Sequence, residues 1–71
     1  MLKERIYRGY NQVTANRIVK YLDKQGIKCS QRVFARAANV RLRVSIYVKK
    51  NVLSETDRFE IRRIIEELPQ Y

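Results

Sequence analysis

The chain has 71 residues, with sixteen Lys and Arg against seven Asp and Glu, a net charge of +9 and 45% apolar content. That is a strongly basic chain with enough hydrophobic side chains to fold, so global disorder is excluded. A domain this short hides only about 60% of the surface its unfolded chain exposes, which predicts a thin core, leaves room for a homodimer and gives little scaffold for a buried polar active site.

In chain order, residues 3–10, KERIYRGY, set Ile6, Tyr7 and Tyr10 among basic residues and read as a short strand or an ordered arm. The spacing of Ala15, Ile18, Val19 and Leu22 then predicts an amphipathic helix near 12–25, capped by Asn11 or Thr14 and ended by Gly26 with Ile27 closing over it. Its outer side carries a basic row, Arg17, Lys20 and Lys24, which reads as a solvated face or a secondary phosphate contact. Residues 31–38 are a short helix capped by Ser30 or, on the alternation of Cys29, Val33, Ala35 and Ala37, a hairpin strand. From 40 to 49 the period is two: Val40, Leu42, Val44, Ile46 and Val48 share one face, and Arg41, Arg43, Ser45, Tyr47 and Lys49 the other, which predicts a strand with one cationic side. A second amphipathic helix is predicted near 55–68. Ser54 and Asp57 form its capping box, Ile61, Ile64, Ile65 and Leu68 its core stripe, and Pro69 its end. Phe59 falls out of phase with that stripe and reads as an interface residue. The expected fold is therefore α+β, a single domain over 1–71 with two helices around a short sheet.

Charge is distributed unevenly along this layout. Between residues 27 and 50 stand Lys28, Arg32, Arg36, Arg41, Arg43, Lys49 and Lys50 without one acid, whereas the last helix mixes both signs. Such a run seeks a polyanion. Within it, QRVFARAANV (31–40) resembles the first helix and turn of the helix-turn-helix of phage repressors, with Gln31 at the opening, Ala35 at the helix crossing, Asn39 at the turn and Val40 after it. The next landmark of that family is apolar and here is Ser45. The resemblance implies DNA binding. Taken instead as helix, strand, strand, helix, the order is similar to small ribonuclease toxins, whose strand histidine this chain lacks.

The absent chemistry narrows the function. With no histidine there is no Ser–His or Cys–His nucleophile pair and no ordinary zinc site; Cys29 has no second cysteine in the chain; Gly9 and Gly26 make no phosphate loop. An enzyme, a metal and a cofactor are not expected. The sequence has no apolar run of membrane-spanning length and no signal-peptide pattern, so a cytoplasmic location is expected. The expected function is nucleic-acid binding, DNA ahead of RNA, by a small regulator using Gln31, Arg32, Arg36, Arg41, Arg43, Tyr47, Lys49 and Lys50. The alternative is a small basic inhibitor or adaptor, of the kind mobile elements encode, docking on an acidic protein surface.

Overall fold

Asn11 opens the first helix, α1 (Gln12–Lys24): its Oδ1 accepts hydrogen bonds from the backbone N–H groups of Val13 at 3.0 Å and Thr14 at 3.1 Å. Thr14, the other candidate cap, is instead fully buried in the core. The helix ends as its glycine predicts. Gly26 takes φ +73°, its N–H reaches Asp23 O at 3.0 Å, and the Ile27 N–H reaches Leu22 O at 2.9 Å, which together make a Schellman closure. The second helix, α2 (Glu55–Glu67), starts on a reciprocal cap in which Asp57 N–H donates to Ser54 Oγ and Ser54 N–H donates to Asp57 Oδ2, both at 3.1 Å.

The computed structural model describes residues 2–35 and 42–68. Its strands are β1 (Lys3–Gly9), β2 (Cys29–Phe34) and β3 (Arg43–Lys49), in the chain order β1-α1-β2-β3-α2. They form one antiparallel sheet ordered β1-β3-β2, so β3 is central and both neighbours pair with it. The fold is α+β. Among the described residues no helix is long and apolar enough to cross a membrane.

Both helices lie on the same side of the sheet. Ala15, Ile18 and Leu22 of α1 and Ile61 of α2 pack with Val44, Ile46 and Val48 of β3 and with Tyr7 of β1, all of them buried. The molecule is 16 Å across its shortest axis, room for one helical layer and one sheet, so the other side of the sheet carries no layer from the described chain.

Three readings of the sequence are refined by this arrangement. Residues 3–9 are a strand, not an arm. Over 31–34 the short-helix alternative is not taken: Gln31 pairs with Ile46 and Val33 with Val44, and a ladder shared with a buried central strand outweighs a local Ser30 cap. The rest of that alternative, and the part of the helix-turn-helix resemblance from 36 to 40, lies outside the described residues. The strand expected over 40–49 is β3, beginning at Arg43. Leu42, expected in the core, is 51% exposed, because β1 ends opposite Val44 and β2 opposite Arg43, leaving Leu42 beyond the last strand pairs.

Candidate functional site

Residues directly opposite each other in an antiparallel pair share a face, so the register assigns each paired strand residue to the helical side or to the open side. Val44, Ile46 and Val48 mark the helical side. The open side then consists of four rows. Arg5, Tyr47 and Ser30 form one; Arg8, Ser45 and Arg32 the next; Arg43 and Phe34 lie beyond them, and Lys3 faces Lys49 at the far end. Lys3, Arg5, Arg8, Arg32, Arg43 and Lys49 are thus six cations on one surface.

The acids are all elsewhere. Asp23 is in α1, and Glu55, Asp57, Glu60, Glu66 and Glu67 are in α2. Glu4 sits in the middle of the basic β1 strand but pairs with Val48 and so points to the helical side. There Arg58 of α2 grips it with both terminal nitrogens, Nη2 to Oε1 at 2.9 Å. That pairing holds the Glu4 carboxyl below its ordinary range, chiefly through the Arg58 hydrogen bond. The single acid of β1 is thereby neutralised behind the sheet.

Two aromatic rings stand within the cationic surface. The Arg32 guanidinium lies 5.9 Å from the centroid of Tyr47, and that of Arg43 lies 5.2 Å from the centroid of Phe34, both within cation–π range. Phe34 is 54% exposed, unusual for a phenyl ring on a sheet unless something covers it. Lys3, Ser30, Arg32 and Tyr47 line a shallow cavity of about 270 Å³. Among the described residues, the Nε of Arg43 is a buried donor without a hydrogen-bond acceptor.

Of the residues expected at the site, Arg32, Arg43, Tyr47 and Lys49 come together on this face, and Lys50 stands in the turn just after it. Gln31 does not: it faces the helical side, where its Oε1 accepts from Gln12 Nε2 at 3.4 Å. Arg36 and Arg41 lie outside the described residues. The secondary row Arg17, Lys20 and Lys24 is exposed on α1, in the helical layer and not on the open sheet face, with Lys20 lining a cavity beside Lys28 and Cys29. Phe59 is 61% exposed on α2, in the same helical layer.

Sequence reasoning missed Lys3, Arg5, Arg8 and Phe34. The register of β1 slips between Arg5 and Tyr7, a bulge that makes Ile6 the extra residue, so the alternation of open-side cations is broken where it would have been read. Cys29 is on the helical side, opposite Val48. Burial, and then Asp23, raise its thiol pKa, which makes it a poor thiolate nucleophile.

Chemically, this surface offers positive charge, hydroxyl donors at Ser30 and Ser45, and two ring faces; among its described residues there is no carboxylate. No family model, curated protein or solved structure matches the chain.

Proposed function

We propose that this chain binds nucleic acid through the open face of its sheet, as a small regulatory DNA- or RNA-binding domain. The observation that carries the reading is the separation of charge: six cations on one face, all seven acids off it, and the acid nearest to that face turned away and paired with Arg58. Solubility alone is served by interspersed signs. Here Lys3 opposes Lys49 directly, a cross-strand like-charge pair that costs stability and is explained by a polyanion that neutralises both.

Binding of this kind releases counterions and weakens steeply with salt. If all six cations meet phosphates, the slope of log affinity against log salt is as steep as about −4 on a single strand and about −5 on a duplex. Fluorescence anisotropy with labelled DNA and RNA, between roughly 50 and 300 mM salt, measures it. Arg5→Glu with Arg32→Glu should weaken binding at least tenfold, while Arg17→Glu with Lys20→Glu on α1 leaves it within about twofold, beyond a general charge effect. Absence of micromolar binding at the lowest salt would refute the proposal and favour an acidic protein partner.

A further inference from the structure

We propose that the preferred ligand of this face is an unpaired stretch of nucleic acid whose bases stack on Tyr47 and Phe34. The inference rests on the nucleic-acid reading and specifies the form of the ligand.

Charge on its own does not distinguish a duplex from a single strand, but ring faces do. In a duplex the flat faces of the bases are occupied by their stacked neighbours, so a sheet surface meets only phosphates and groove edges. An aromatic ring set among the phosphate-binding cations then has little to stack upon. An unpaired strand exposes base faces, and stacking on a ring is tolerant of sequence. On this sheet each ring has a guanidinium against it: Tyr47 lies in one row with Arg5 and has Arg32 over its ring, and Phe34 sits beside Arg43 in register and in cation–π contact. Each ring therefore has a charge partner within reach of the phosphate that follows its base.

The spacing supports two separate stacking positions. Arg43, the register partner of Phe34, is four residues from Tyr47 on β3, a distance of about 13 Å along the strand. Successive bases in a stacked strand are about 3.4 Å apart, so the rings engage different nucleotides of one chain. The seven residues of β3 span roughly 23 Å, a length in keeping with a site of several nucleotides. A base arriving on either ring displaces its guanidinium, and the freed arginine turns to phosphate. This gives a reason for an exposed Phe34 ring, a half-buried Tyr47 ring and two guanidiniums, one with an unsatisfied Nε, to share the surface.

The test compares an eight-nucleotide single strand, in deoxy and ribo forms, with a hairpin duplex of equal phosphate count at one salt concentration. It uses the intact chain and the variants Tyr47→Leu, Phe34→Leu and Tyr47→Phe. The single strands should bind at least tenfold tighter than the duplex, and whichever of the two binds tighter identifies the sugar. Each leucine variant should lose about tenfold on single strands with an unchanged salt slope, Tyr47→Phe should keep its affinity, and 2-aminopurine in the strand should be quenched on binding. Circular dichroism establishes that each variant is folded. Equal or tighter duplex binding, or leucine variants that bind single strands as well as the parent, would overturn the stacking inference while the salt slope still upholds the phosphate reading. If no oligonucleotide binds, both proposals fail together.

Discussion

At the scale of single residues, the first strand depends on a close approach between Tyr7 and Gly9. They are two apart, on the helical side, and the buried Tyr7 ring folds over the glycine, so that a Cβ at position 9 would sit 2.5 Å from the Tyr7 hydroxyl oxygen and 2.9 Å from its Cζ. The ring is not free to withdraw, since it is 5% exposed and its hydroxyl donates to Asn11 O at 3.4 Å, just ahead of α1. Burial raises the Tyr7 pKa, consistent with a phenol held in the core. Gly9→Ala should therefore cost about 1–3 kcal/mol, the usual range for forcing extra volume into a packed site. Urea denaturation reads this as a lower midpoint at unchanged slope. A loss below about 0.5 kcal/mol, the range of ordinary surface substitutions, would show that the ring has somewhere else to go.

At the scale of elements, α2 serves the open face indirectly. Its Arg58 removes Glu4 from the surface account, and Asp57, besides capping the helix, accepts the Tyr21 hydroxyl of α1 at 2.8 Å. The Asp57 carboxyl is held low by the Ser54 backbone N–H and then by Tyr21, while Tyr21 is pushed up first by burial and then by Asp57. Both carboxyls, Glu4 and Asp57, have folded-state pKa values below their unfolded ones. Their contribution is thus complete above the ordinary carboxyl range near 4 and is lost as pH falls through the lower folded values. Thermal unfolding followed from pH 7 down to pH 2 should show a steep acid limb below about pH 4, flattened in the double variant Glu4→Gln with Asp57→Asn; an acid limb unaltered in that variant would place the linkage elsewhere. These helices were legible in the sequence because their signals are local: Asn11, Gly26 and the Ser54–Asp57 box lie within a turn of what they cap. The central strand was legible from Val44 to Lys49, where burial alternates without interruption. Its neighbours were not. The Ile6 bulge hides the phase of β1, and β2 owes its strand form to pairing with β3 across the sheet, against a local alternation no stronger than its helical pattern. Consequently half of the open face, Lys3, Arg5 and Arg8, came from a segment whose role only the register reveals.

At the scale of the whole molecule, a net charge of +9 on 71 residues opposes the compact state by self-repulsion, and the open face concentrates that repulsion where strands pair. Lys3 and Lys49 are its clearest expression, directly opposite each other at the end of β1 and β3. Opposite charges at such a pair of positions stabilise a sheet by roughly 0.2–1 kcal/mol and like charges destabilise it. Lys49→Glu should therefore raise the melting temperature, with a gain that shrinks in high salt as screening weakens the cross-strand pair. The same change removes two units of positive charge from the proposed binding surface, so affinity for nucleic acid should fall and the salt slope become shallower by about one phosphate contact. The two effects having opposite sign is the point of the experiment. A surface whose charge serves only solubility predicts the gain in stability with no loss of binding, whereas a surface built to hold phosphates carries its repulsion in the free state and is relieved of it when the polyanion arrives. Added short oligonucleotide should accordingly raise the melting temperature of the parent more than that of Lys49→Glu, and differential scanning fluorimetry of both, with and without it, decides between the two accounts.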